Sequence, residues 1–352
     1  MSQKTVCFYP SNQKRTNHFL FNLSRLLESS GRFKCVGYKE VQKETPKDLF
    51  KSDIYHINWF DQSKDVVSFL KRLYFLIALK MRGKRIVWTI HNIVSHAKTP
   101  FYNRILFKCL ARFSKVIHVM CNDTVSIAKL EKYRDKVVLV PHGDYYGSYP
   151  DNNFDVYGHY GIDREKLIFL FSGAIQPYKN VDVLIRAFRK AFAGKDSPVL
   201  LVCGKVEPDS YKENLQKLLD GADNIVFDPQ FIPDENLGSY ISTAKILTIP
   251  YSYRSSLNSG TIPLAFSYGK TLVCPDIACV KDILSDSDCL YSYHYESEED
   301  HIEVLSRNLL QVYSDLETGR VSEKEQKAKV YMERNSWEAH KNEWISLYEG
   351  NI

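Results

Sequence analysis

Residues 167–188, LIFLFSGAIQPYKNVDVLIRAF, decide the reading of the fold. The opening LIFLFS is an unbroken apolar run of strand length, as expected of a strand buried on both faces of a parallel sheet. It ends at Ser172-Gly173, and beyond Pro177 and Lys179 apolar residues recur at helical spacing. Strand, short glycine loop and amphipathic helix make the first part of a βαβ unit. Parallel sheets bind ligands beyond the carboxyl ends of their strands, so chemistry is expected in this loop. Gly173 lets backbone approach a ligand closely. Lys179 puts an ammonium at a helix start, where the macrodipole disfavours a cation unless an anion lies nearby. The plain alternative is a solvated lysine.

The same rhythm extends both ways. Upstream, strand patterns at 5–9, 33–38, 53–59, 85–90, 115–120 and 137–140 alternate with helical patterns at 18–28, 66–82, 100–113 and 124–132. Residues 145–164 have a linker composition of Tyr, Asn, Asp and Gly. Downstream, strands at 199–203, 224–227, 246–249 and 271–274 alternate with helices at 211–219, 235–244 and 261–268, and 301–316 and 324–348 read as closing helices. This alternation predicts an α/β protein with two doubly wound parallel sheets. The boundaries expected are 1–160 for the first domain, 161–325 for the second, and 326–352 for a C-terminal helix that packs across the domains and returns to the first.

Bulk properties narrow the class. The 352 residues suit two ordinary domains, and 44% hydrophobic with 25% charged residues is globular usage. The net charge of +5 suits an anionic substrate or an acidic lipid surface without requiring either. It is not concentrated, and no nucleic-acid motif appears. The eight cysteines are scattered without zinc-ligand spacing, which fits buried thiols in a reducing compartment and no metal site. Asp286-Ser287-Asp288 has the spacing of a metal motif but sits in a late polar loop. The N-terminus enters a strand almost at once with no apolar signal region, so the expected location is cytoplasmic. Around residues 71–85, six cations interleave with aliphatic and aromatic residues. That pattern fits a helix lying on an anionic membrane at the inner face of the cell membrane, or a solvated basic face.

A second informative stretch is 249–276, IPYSYRSSLNSGTIPLAFSYGKTLVCPD. Ser259-Gly260-Thr261 opens a helix, and backbone N–H groups with two hydroxyls there can hold an anion. Arg254 precedes the turn and can add a bidentate contact. In the first half, His91 follows the strong strand RIVWTI, with His96 and Asp61 in the same or neighbouring loops. A side chain titrating near neutrality there can take a proton from a hydroxyl. Asn17 and His18 open the first helix and are candidates for substrate contact. His56 points along a strand and reads as packing.

The pairing of SGAIQPYKN…LIRAF with PYSYRSSLNSGTIPLAFSYGKTLVCPD resembles the C-terminal domain of GT-B glycosyltransferases, in the broad group 1 or family 4-like set. VPHGDY, at 140–145, is similar to that family's signature closing the first domain, and WTIHNIVSH, at 88–96, resembles the HN-x-x-x-H segment of bacterial polysaccharide mannosyltransferase-like members. The resemblance implies two Rossmann-like domains facing a central cleft. It implies a nucleotide-diphosphate sugar, GDP- or UDP-linked, in the second domain and a saccharide or lipid-linked acceptor in the first, for surface polysaccharide synthesis. It implies that Lys179 and Ser259, Gly260 and Thr261 hold the diphosphate, that Gly173 passes beneath the sugar phosphate, and that Phe231 and Ile232 contact the base through backbone. Acceptor contacts would fall to Asn17, His18 and His96, and catalysis to His91 and Asp61. No metal and no cofactor beyond the co-substrate is expected.

The chain also departs from the family. The paired glutamates of many retaining members fall on Ser256 and Leu264, and a strand-end arginine on Ala174 or Gln176. Stereochemistry therefore stays open between inverting and retaining. A non-catalytic nucleotide-sugar-binding module and a sugar-nucleotide 2-epimerase of the same fold are the competing readings.

Overall fold

The structure, a computed structural model, describes residues 3–14, 17–92, 100–253 and 256–350. It divides into two compact units, one of residues 1–143 and 335–352, the other of residues 144–334.

The first unit is built on strands β1 (Lys4–Tyr9), β2 (Phe33–Gly37), β3 (Ile54–Asn58), β4 (Arg85–Thr89), β5 (Val116–Val119) and β6 (Val137–Leu139). All pair in parallel, in the order β2-β1-β3-β4-β5-β6. The intervening helices are α1 (His18–Ser29), α2 (Tyr38–Glu44), α3 (Val66–Met81), α4 (Phe101–Phe113) and α5 (Thr124–Ile127). Local signals start them: Asn17 caps α1 through Leu20 N–H, and Asp65 with Ser68 forms a capping box on α3.

The second unit opens with α6 (Val156–Tyr160), then β7 (Ile168–Ser172), α7 (Val181–Ala191), β8 (Val199–Cys203), α8 (Asp209–Leu218), β9 (Ile225–Asp228), α9 (Asp234–Thr243) and β10 (Ile246–Thr248). It continues with α10 (Thr261–Ser267), β11 (Leu272–Pro275), α11 (Ala278–Asp286), β12 (Tyr291–Tyr293), α12 (Glu298–Glu317) and α13 (Arg320–Arg334). Its parallel sheet runs β12-β11-β10-β7-β8-β9, so strand order reverses between β7 and β10. Every residue of β7 and β8 is buried, which is why these strands read as unbroken apolar runs.

Three helices and one strand were not foreseen. Helix α2 buries none of its residues, α6 and β12 are very short, and α11 follows a tight bend after β11. The expected linker packs with the second unit, because Tyr145, Val156 and Ile162 join its core; the contacts thus divide the chain at 143/144 rather than 160/161. The helix expected over 324–348 is two helices, α13 and α14 (Lys341–Glu349). The break lies where the chain leaves the second unit for the first. There Trp337 packs on Gly143 so closely that a Cβ at 143 would lie 2.2 Å from the indole.

Helix α14 is anchored by burial of Trp344, Leu347 and Tyr348, each contributing roughly 1.5–3 kcal/mol. It is also tied to the sheet by a chain of buried hydrogen bonds with one consistent direction. His118 Nε2 donates to the Val140 carbonyl at 2.9 Å, so the neutral ring must accept at Nδ1. The Thr89 hydroxyl supplies that proton at 3.0 Å and accepts from His56 Nε2 at 2.6 Å. His56 Nδ1 then accepts from the Tyr348 hydroxyl at 2.8 Å. His56 is thus a packing residue, as expected.

Tyr348→Phe removes the last donor and leaves a buried imidazole nitrogen unsatisfied. The expected loss is about 1–3 kcal/mol in urea unfolding. Burial also pushes the pKa of His118 down to about 4, and that of His56 well down, with His118 adding to the effect. A depressed pKa means the unfolded chain takes up protons first. The stability held by His118 is therefore complete above about pH 6.5 and is lost as pH falls towards 4, by up to about 1.4 kcal/mol per pH unit. A urea midpoint that stays flat between pH 7 and 4 would contradict this.

Candidate functional site

Strand order reverses between β7 and β10, and it is outside the carboxyl edge of a parallel sheet, at such a point, that ligands bind. Two loops converge there. The loop after β7 runs through Gly173 to a single 3-10 turn at Pro177–Lys179. Asn180 follows in the left-handed region at φ 51°, tolerable for Asn, and starts α7. The loop after β10 carries Pro250, Tyr251 and Ser252. The two are tied by the Asn180 side chain, whose Nδ2 donates to the Pro250 carbonyl at 3.0 Å, and by the Ser252 N–H, which donates to the Tyr178 carbonyl at 3.0 Å.

Lys179 projects over the ring of buried Tyr251, its ammonium 4.9 Å from the centroid. A Cβ on Gly173 would sit 3.7 Å from that ammonium. Burial works to lower the lysine's pKa, but Tyr251 and then Tyr178 outweigh it and the net shift is upward, so the side chain stays charged. The Tyr251 hydroxyl in turn lies 3.4 Å from that of Thr261. Gly173, Lys179, Tyr251 and Thr261 are therefore one cluster.

Gly173 has φ +126° and Gly204, ending β8, has φ +152°, conformations that favour glycine. A Cβ on Gly204 would lie 1.8 Å from the Gly173 carbonyl oxygen, so the two strand ends meet backbone to backbone.

The turn at Ser259 differs from expectation. Gly260 is the cap of α10, a helix of only 7 residues. The Thr261 N–H already donates to Ser259 Oγ at 3.3 Å, and the Ile262 N–H to the Ser259 carbonyl at 3.2 Å. Part of the expected donor set is thus used within the turn. In the loop after β9, Ile232 is buried while Phe231 is 70% exposed. Arg254 and His96 lie outside the described residues. Ser256 is buried and Leu264 belongs to the second core, so neither family glutamate position carries a carboxylate. Asp286 pairs with Arg334 and Asp288 with Lys324.

In the first unit the carboxyl ends of β3 and β4 gather Asn58, Trp59 and His91. His91 Nε2 lies 2.8 Å from Asn58 Oδ1. Asn58 Nδ2 donates to the Tyr9 carbonyl, which fixes the amide orientation, so Nε2 is the protonated nitrogen and Nδ1 the acceptor. The ring stacks on Trp59 at 4.0 Å and meets the edge of Phe19 at 5.2 Å. Burial, then His142, His118 and His56, push its pKa well below the ordinary value. It is neutral at pH 7.

Trp59 was missed. A tryptophan at φ 50° is a backbone outlier of the kind that gathers at functional sites. Arg72 holds the turn by donating to the Phe60 and Gln62 carbonyls. Asp61, in that turn, has its pKa raised to about 6, chiefly by desolvation. Tyr251 and Asn180 were missed too. Both lie inside the quoted stretches, but only pairing of the loops gives them a role. Asn17 has its Oδ1 engaged as the cap of α1, and His18 is buried in the first turn.

Residues 158–330 match the family described as glycosyl transferases, group 1. No curated protein matches the chain in sequence. Among solved structures, sucrose-phosphate synthase from Thermosynechococcus elongatus aligns with a TM-score of 0.74 at 13% identity, covering 99% of both chains. HepE from Anabaena, in complex with UDP and glucose, gives 0.71 at 11% identity and 100% of both chains. WaaG, a glycosyltransferase involved in lipopolysaccharide biosynthesis, gives 0.63 at 14% identity, with 99% of this chain and 100% of that one covered. The chain therefore has the GT-B fold over its whole length, and over residues 158–330, which hold the Lys179–Tyr251–Thr261 cluster, it matches the group 1 glycosyl transferases.

Proposed function

We propose that this protein transfers a hexose from a nucleotide-diphosphate sugar to a saccharide or lipid-linked saccharide acceptor, in the building of a surface polysaccharide. The observation that carries the reading is the Lys179 ammonium, held beside Gly173 and over Tyr251 where the two loops are tied. Departure of a nucleoside diphosphate leaves negative charge on the β-phosphate. A fixed cation there stabilises the transition state more than the ground state. Because Lys179 can meet that charge, transfer is expected to survive EDTA.

The base favoured is uracil. HepE is described in complex with UDP-glucose, and a pneumococcal O-GlcNAc transferase, which aligns with 83% of this chain over 55% of its own length, with UDP and GlcNAc. The mannosyltransferase-like resemblance makes GDP the alternative. His91 and Asp61 are assigned to the acceptor hydroxyl. Asp61, with a pKa of about 6, suits proton removal near neutrality. Loss of the family's glutamate positions favours one rival, a non-catalytic binding module.

Lys179→Ala is expected to lower the transfer rate about 10²–10³-fold, as loss of one transition-state donor does. UDP should raise the unfolding temperature of the native chain more than GDP does, and neither should shift that of Lys179→Ala as far. Donor turnover unchanged in the variant would sink the assignment; tight UDP binding without turnover would favour the binding module. Product formed without any acceptor would point to the epimerase.

Peripheral membrane contact is a second reading, favoured by α3. Val66, Val67, Leu70, Tyr74, Ile77 and Met81 are all exposed along one stripe of that helix, Met81 by 81%. Lys71, Lys80, Arg82 and Lys84 flank it. A solvated basic face does not need such a stripe. No described helix is long and apolar enough to cross a membrane. The chain is expected to float with vesicles containing phosphatidylglycerol at low salt, and Leu70→Glu with Tyr74→Glu to abolish this. Flotation unaffected by those changes would remove the role of α3.

A further inference from the structure

A cavity of about 520 Å³ lies in the first unit between the turn after β3, helix α4 and the segment following α5. Its size is that of a small-molecule site. Lys64, Arg104, Lys108, Lys129 and Lys132 line it, against one carboxylate, that of Asp61. Phe107, Ala111 and Ala128 give it an apolar wall. Among the described residues Lys64, Lys108 and Lys129 enter no ion pair. Arg104 and Lys108 stand one helical turn apart on α4, a like-charge spacing that costs stability rather than adding it. Cations gathered this way repel one another, and a bound anion offsets the repulsion.

An independent observation comes from Ser63. It is 7% exposed, lines the cavity, and among the described residues its hydroxyl has no hydrogen-bond partner. Its backbone is fully engaged: Asn103 Oδ1 accepts from the Ser63 N–H at 2.8 Å and Asn103 Nδ2 donates to its carbonyl at 3.4 Å. The turn is thus clamped to α4 with one donor left over, on a residue that lines the cavity. A buried hydroxyl without a partner is costly to keep, so an acceptor atom from a ligand accounts for it.

We propose that this cavity binds a phosphate or diphosphate group carried by the acceptor, with the lysines and Arg104 meeting its charge and Ser63 donating one hydrogen bond. This rests on the glycosyl-transfer reading for the word acceptor, but the anion site itself does not. The apolar wall takes the part of the ligand next to the phosphate. Asp61, which also lines the cavity, would lie beside the bound molecule.

The test is titration calorimetry on the full chain carrying Lys179→Ala, so that the donor-side cation is absent, with inorganic pyrophosphate and farnesyl diphosphate as probes. Saturable pyrophosphate binding is expected, and it should weaken about tenfold or more, at least 1.4 kcal/mol, when Lys108→Glu and Lys132→Glu are added. Both sites are exposed, so the fold should persist, as circular dichroism can verify. Ser63→Ala should weaken binding while leaving the unfolding temperature unchanged or raised, a combination that a merely structural serine would not give. Farnesyl diphosphate binding about tenfold tighter than pyrophosphate marks a lipid-linked ligand, and equal affinities a soluble one; both uphold the site. No binding, or binding indifferent to the charge reversals, overturns it. UDP binding to the native chain is measured separately, so failure here leaves the donor reading standing, and the reverse.

Discussion

In a parallel sheet every strand ends at the same edge, and both units of this chain are organised by that constraint. Antiparallel strands would scatter their loops between two edges. Here β7, β8, β9 and β10 deliver Gly173, Gly204, Phe231 and Tyr251 to one edge of the second sheet, and β3 and β4 deliver Trp59 and His91 to one edge of the first. The cost of the arrangement is that central strands must be buried on both faces. That is why β7 and β8 are wholly apolar up to their last residues, and why chemistry begins at the first residue past the strand.

Delivery to an edge is not yet positioning. In the second unit, positioning comes from two hydrogen bonds between loops, Asn180 to Pro250 and Ser252 to Tyr178, which set Lys179 over Tyr251. In the first unit it comes from amide and imidazole groups whose directions are dictated by backbone carbonyls. Tyr9 fixes Asn58, which fixes the tautomer of His91. Val140 fixes His118, and through Thr89 and His56 the orientation of Tyr348. Every member but Tyr348 and His91 sits on a strand or at its end, so the sheet's rigidity passes to the polar groups. The same burial that rigidifies these histidines keeps them neutral.

The fold was legible because its signals are local. LIFLFS, RIVWTI and VLLVC are strand-length apolar runs, and each is followed by a helical period. What the sequence hid depends on pairing across the chain. The break at 335–340 was invisible because ERNSWEAHKN carries neither proline nor glycine; it exists because Trp337 must meet Gly143. That contact also accounts for the glycine in VPHGDY, which reads as a signature but here makes room for an indole. Lys179 stands out in the sequence from its place in a loop, whereas Tyr251 beneath it does not, since an aromatic after a strand is ordinarily core. Trp59 was passed over for a different reason: nothing in DIYHINW announces a left-handed backbone at its final residue.

The two titratable candidates of the first unit show how environment divides roles between groups that look interchangeable in sequence. His91 is ordinarily the side chain that titrates near neutrality, and Asp61 the one that does not. Burial inverts this. It drives the histidine well down, with three neighbouring histidines adding to the effect, and lifts the aspartate to about 6. Groups pushed in opposite directions take different tasks. At pH 7 a neutral imidazole with its proton committed to Asn58 has little basicity to offer an acceptor's hydroxyl. A carboxylate that titrates about one unit below neutrality is mostly ionised yet far more basic than a solvated aspartate, which suits removing that hydroxyl's proton. On the glycosyl-transfer reading, then, Asp61 is a better candidate base than the histidine.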